Sequence, residues 1–185
     1  MSWLDKLEIS FEHNDLLSIN VEAIVCPVRL SLDAYGKISQ RIFTAGRDAL
    51  RDEVFTIKEY LPDNKLLLGQ AISIVCKPDY HIGNFRRLIF TALWDHHSEY
   101  NVNLFYKAYI NSLRDAFQHH IKSIALPVMA YDGNLSLCGK AIIKVIQDLD
   151  SMKNSSEFSV ENIYFVSNNR EHINYLVKEV EPKLP

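Results

Sequence analysis

The sequence predicts an α/β layered domain, with helices on both faces of a mostly parallel sheet. Three observations carry this. Short apolar or alternating runs take turns along the chain with stripes of helical spacing. One stretch shows a whole strand–loop–helix unit: Ile121 to Leu126, then Pro127, a polar loop around Asp132-Gly133-Asn134, and an amphipathic helix to Leu149. At 185 residues and 48% hydrophobic, residues 1–185 are expected to form one domain around a full core.

The elements follow in order. Leu7 to Phe11 alternates apolar and polar side chains, and Glu22 to Cys26 is a short apolar run expected to stop at Pro27, so both read as strands. From Lys37, the positions Ile38, Ile42, Ala45, Ala49 and Val54 fall on one helical face, with Gly46 a weak point. Gln70 to Cys76 and Arg87 to Leu93 read as two strands in a hairpin or as a neighbouring antiparallel pair, and the early strands are expected to add an antiparallel edge to the sheet. Phe105, Tyr109, Leu113 and Phe117 step by four, a helix leading into the Ile121 strand, and Cys138, Ala141, Ile142, Val145, Ile146 and Leu149 form the next stripe. After the polar segment Lys153 to Ser156, Val160 to Val166 reads as a strand, and Ile173, Leu176, Val177 and Val180 as a last helix.

Composition excludes several classes. A formal net charge of -3, from 20 basic and 23 acidic residues, gives no bulk attraction to nucleic acid or to an anionic membrane. Three cysteines without C-x-x-C spacing fit a reducing compartment, and with no signal-like start or membrane-length apolar run the expectation is a cytoplasmic protein. His96-His97 and His119-His120 are adjacent pairs, which point apart on a helix or strand, so no metal site and no cofactor are expected.

Four landmarks occur in order. They are Asn14-Asp15-Leu16-Leu17 with Val21 to Val25 behind it, Leu68-Gly69-Gln70-Ala71, and Ser123-Ile124-Ala125-Leu126-Pro127. Together they resemble the macrodomain pattern of a Gly-Asp-Ile turn, a Val-Asp-Ala-Ile-Val strand, a Gly-Glu-Ala turn and a Ser-Ile-Ala-Phe-Pro strand. The resemblance spans roughly residues 7 to 178 and implies a three-layer α/β/α domain with a mixed, mostly parallel sheet of six or seven strands. It also implies a cleft for ADP-ribose at the strand ends.

Carried onto this chain, the resemblance makes Asp15 the residue that reads the adenine amino group, with Leu16 beside it. By itself Asp15 is equally a turn or cap residue. The first strand-end loop departs from the family's Asn-Ala-Ala-Asn run and glycine-rich segment, reading Cys26-Pro27-Val28-Arg29 and then Ala34-Tyr35-Gly36-Lys37-Ile38. Gly36, Lys37 and Ile38 are either an anion-facing helix start or a plain loop with a solvated lysine, and Arg29 is either a two-pronged phosphate clamp or a surface arginine. Cys26 is a formal nucleophile or packing.

The second loop reads Ala130-Tyr131-Asp132-Gly133-Asn134-Leu135. Gly133 can open an anion nest, whereas Asp132 beside a diphosphate is repulsive unless it turns outward. Asn134 is either a ligand or the cap of the next helix, and Asn168, with Asn169, is either near the adenine or capping the last one. Trp94 and Tyr35 are either a wall of the cleft or core filling.

The resulting expectation is a divergent macrodomain that binds ADP-ribose or a related nucleotide diphosphate, free or on an ADP-ribosylated protein, with little hydrolase activity. The alternatives are an ADP-ribosyl or O-acetyl-ADP-ribose hydrolase in which Asp132 or another polar cleft residue activates water, and a protein-interaction domain with a decayed cleft.

Overall fold

Alternation along the strands sorts side chains into two cores, and that sorting sets the layers. The computed structural model describes residues 7–95, 99–130, 133–151 and 159–184. Its strands are β1 (Glu8–His13), β2 (Ala23–Arg29), β3 (Ala71–Val75), β4 (Arg87–Trp94), β5 (Ser123–Pro127) and β6 (Asn162–Ser167). Its α-helices are α1 (Gly36–Glu59), α2 (Val102–Gln118), α3 (Leu135–Ser151) and α4 (Arg170–Glu179). In β2, Ala23 and Val25 join the core under α2, α3 and α4, while Ile24, Cys26 and Val28 join the core under α1. A strand buried on both faces reads as a continuous apolar run, as β2 does. The result is a three-layer α/β/α domain.

The sheet has six strands in the order β1-β6-β5-β2-β4-β3. All neighbours are parallel except β3 and β4, whose antiparallel pairing makes the expected edge. From β5 the chain proceeds through α3 to β6 on one side, whereas from β2 it proceeds through α1 toward β4 on the other. The boundary between β5 and β2 is therefore the switch point, outside whose carboxyl ends such sheets bind ligands.

One expectation needs correction here. The β2 strand does not stop at Pro27 but runs through it to Arg29. A proline removes a ladder donor and is tolerated where one side of the strand is unpaired. The β2–β5 pairing consists of Ala23 with Ile124 and Ile24 with Ala125. Past those two pairs each strand carries a proline, Pro27 and Pro127, with no N–H to continue the ladder. The sheet opens at the end where a ligand would sit.

The helix α1 is interrupted at Arg47, whose φ of 47° and ψ of -144° are not helical. A Cβ on the preceding Gly46 would lie 2.5 Å from Leu50 Cβ, so the weak point in the sequence marks a tight contact as well as a kink. The segment Lys153 to Ser156 and the pair His96-His97 lie outside the described residues.

Candidate functional site

At the carboxyl ends of β1, β6 and β5, facing the first turns of α1, lies a cleft of about 600 Å³. Among the described residues, four segments line it: residues 14–17 after β1, residues 36–38 with Arg41 on α1, Val128 and Ala130 after β5, and residues 166–169 with His172 at the β6–α4 junction. Its size falls within the range of small-molecule sites.

The turn after β1 places Asp15. Asn14 Oδ1 accepts from the Asp15 N–H at 2.8 Å, and the Asp15 carbonyl accepts from the Ser18 N–H at 3.0 Å. Leu16, buried in the core under α1, anchors the turn. The Asp15 carboxylate is gripped by Arg41, with Nη1 at 2.9 Å from Oδ1 and Nη2 at 2.7 Å from Oδ2. Oδ1 also accepts from the Leu17 N–H at 3.3 Å. The Arg41 hydrogen bonds hold the carboxyl below its ordinary value, outweighing partial burial.

The start of α1 supplies positive potential. The first-turn N–H groups of a helix have no partners within the helix, and the residues that carry them here, Gly36, Lys37 and Ile38, line the cleft. Lys37 and Arg41 are four residues apart, so both cations lie on one face of α1. The turn is fixed by Ser39, fully buried, whose hydroxyl accepts from the Tyr35 N–H at 2.5 Å. Gly36 has a φ of 77°, a conformation that suits glycine there.

At the far side, Asn169 caps α4 by accepting from the Glu171 N–H at 2.9 Å. The Ser167 hydroxyl accepts from the Asn169 N–H at 3.1 Å and meets His172 Nδ1 at 3.0 Å. Burial pushes the His172 pKa down, which favours a neutral ring. The Asn168 carbonyl is 3.2 Å from His13 Nε2.

Of the residues expected from the sequence, Asp15, Leu16, Gly36, Lys37, Ile38, Ala130 and Asn168 converge on this cleft. Arg29 does not. Its guanidinium lies 4.5 Å from the Trp94 ring centroid and faces a separate concavity with Asp33, Leu66 and Gln70. It stacks on that ring and does not line this cleft. Cys26 is fully buried in the core under α1, outside the cleft lining, and desolvation raises its thiol pKa, which disfavours the thiolate.

Gly133, with φ of 80°, precedes α3, whose first hydrogen bond runs from the Cys138 N–H to the Asn134 carbonyl at 3.0 Å. Gly133, Asn134 and Leu135 start that helix and do not line the cleft; Tyr131 and Asp132 lie outside the described residues. Tyr35 and Trp94 do pair, with ring centroids 5.2 Å apart and planes 12° from parallel.

Sequence reasoning missed Arg41, Ser167 and His172. Arg41 carried a signal, being one helical turn after Lys37. His172 is three residues beyond the helix cap Asn169, a first-turn position that brings its ring back over the strand end.

No protein-family model matches the sequence, and no curated protein matches it. Solved structures do resemble it. A variant of the Oceanobacillus iheyensis macrodomain with ADPR superposes with a TM-score of 0.72 at 15% identity, covering 94% of this chain and 91% of that one. The Trypanosoma brucei macrodomain in complex with ADP-ribose gives 0.73 at 13% identity, covering 92% of this chain and 68% of that one. The Oceanobacillus iheyensis macrodomain with ADP gives 0.66 at 17% identity and 90% of each chain. The fold of this chain is the macrodomain fold.

Proposed function

We propose that the chain binds ADP-ribose or a related adenine nucleotide diphosphate in the cleft between the β1, β6 and β5 ends and α1, with little hydrolase activity. The observation that carries the reading is a fixed carboxylate and a positive helix start lining one cleft. Asp15, held by Arg41 in the second turn of α1, and the first turn of that helix, with Lys37, both line it. A carboxylate accepts from an exocyclic amine, and a helix N-terminus with a lysine holds phosphate oxygens. One ligand that presents both groups is an adenine nucleotide. Structures of the same fold hold ADPR and ADP, which supports that ligand class.

Two of the described lining residues support the low hydrolytic activity. Asp15 is a carboxylate paired with Arg41 and held below its ordinary pKa, which makes it a weak base. His172 Nδ1 is engaged by Ser167 at the β6 side, away from the helix start where phosphates would lie.

Calorimetry and thermal denaturation with ADP-ribose and ADP test the reading. A saturating ligand at about 100 times its dissociation constant should stabilise the fold by roughly 2.7 kcal/mol. No heat and no shift with either nucleotide would refute it. Turnover of ADP-ribosylated protein that disappears in Asp132→Ala, with binding kept, would favour the hydrolase instead.

A further inference from the structure

Beyond the helix start, where the chain passes from β2 into α1, the space is filled with aromatic rings. Tyr35 stacks on Trp94 at the end of β4, and its hydroxyl is hydrogen-bonded to the Tyr100 hydroxyl. Tyr100 in turn stacks on Phe105, fully buried, with centroids 5.5 Å apart and planes at 12°. Tyr35 is the residue just before Gly36, so this cluster begins where the lining of the cleft ends.

The segment that carries Tyr35 is held down along its length. The Arg29 N–H donates to the Asp33 carbonyl at 3.0 Å, the Leu32 N–H donates to the Arg29 carbonyl at 2.9 Å, and Val28 bridges to Ala34. Leu32 is fully buried, and Lys58 Nζ reaches Asp33 at 3.0 Å. Fixed at both ends and in the middle, the segment keeps the tyrosine ring against Trp94.

The cleft therefore has a length. From Asp15 past β1, across β6 and β5 to the helix start past β2, it spans three strand spacings, about 14 Å. No residue of the segment 26–35 and no residue of β4 lines it. The span holds a nucleoside and the phosphates that follow it. On the side toward β4, a second sugar beyond those phosphates would meet the Tyr35 ring.

We infer that the cleft is a nucleoside-diphosphate site closed by the Tyr35–Trp94–Tyr100 cluster, which takes ADP and gains nothing from the second ribose of ADP-ribose. This rests on the reading that the cleft binds adenine nucleotides. Charge favours the same choice. The terminal phosphate of ADP carries more negative charge than the esterified one of ADP-ribose, and it would face Lys37 and the α1 N-terminus directly.

The test is calorimetric titration of the full chain with ADP and with ADP-ribose, repeated on Tyr35→Gly and Trp94→Ala. The expected result is that wild-type protein binds ADP-ribose no more tightly than ADP. Opening the wall should then shift the ratio of the two affinities toward ADP-ribose by about tenfold. ADP-ribose as the tighter ligand of the wild-type protein would overturn the inference while leaving the nucleotide reading intact. An unchanged ratio in both variants, with ADP still bound, would overturn the wall. Binding of neither nucleotide by wild-type protein would overturn the nucleotide reading and this inference with it. The wild-type comparison decides the matter even where a variant fails to fold.

Discussion

Replacing Asp15 by alanine should separate recognition from stability, because the same carboxylate enters both with different weight. In the folded protein its structural partner is Arg41, and the two side chains keep 34% and 51% of their exposure. An ion pair so open to water contributes roughly 0.2–1 kcal/mol, so Asp15→Ala should lower the melting temperature by a few degrees at most. Toward a bound adenine the carboxylate would accept a hydrogen bond as a charged group, an interaction of about 1.5–3 kcal/mol. Because Arg41 already occupies both oxygens, the lower end applies, and about 1.4 kcal/mol is tenfold in affinity. Calorimetry should therefore show ADP weakened about tenfold, with ribose 5-phosphate, which lacks the exocyclic amine, nearly unchanged. Equal weakening of both ligands would refute the assignment of Asp15 to the adenine end.

Three further outcomes follow from other parts of the molecule. Lys37→Ala should weaken ADP by about 1 kcal/mol at low salt and by less as ionic strength rises, since its share is electrostatic; a salt-independent loss would contradict that. Tyr109→Phe should destabilise the fold by about 2–3 kcal/mol in urea unfolding, because the buried hydroxyl donates to the Pro127 carbonyl at 2.9 Å and accepts from the Met129 N–H at 3.0 Å. At His172 the folded pKa lies below the ordinary 6.5, so the unfolded chain takes up the proton first. Its contribution to stability is thus lost as pH falls through that value toward the lower folded one, and His172→Asn should flatten that part of a pH–stability profile.

The fold could be read from the chain because its signals are repeated and local. Each strand and helix carries its own period, and strands buried on both sides, such as β2, show it as an unbroken apolar run. What misled at Pro27 was a correct local rule applied without its tertiary exception: a proline ends a strand unless the neighbouring strand has already moved away. The site was half visible for a related reason. Asp15 and Gly36 to Ile38 are near the ends of elements whose order fixes their position, so residue type and place coincide. Arg29 had the right chemistry and the wrong direction, because nothing local tells which way a side chain leaves a bulged strand end; the bulge falls between Val28 and Arg29. Cys26 failed through alternation, since its place in β2 turns it into the core under α1. Arg41 had its helical spacing from Lys37, but its pairing with Asp15, 26 residues away, is not displayed by a single sequence.

The short seam between β2 and β5 bears on how such a cleft can persist while its loops change. Because the two strands part after Ala23–Ile124 and Ile24–Ala125, and prolines stand in both diverging halves, the opening is written into strand backbone. Loop side chains then decide only what the opening accepts. On the proposed reading, substitutions in the segments after β2 and β5 would change the ligand without closing the gap, and the aromatic wall at Tyr35 would be one such change.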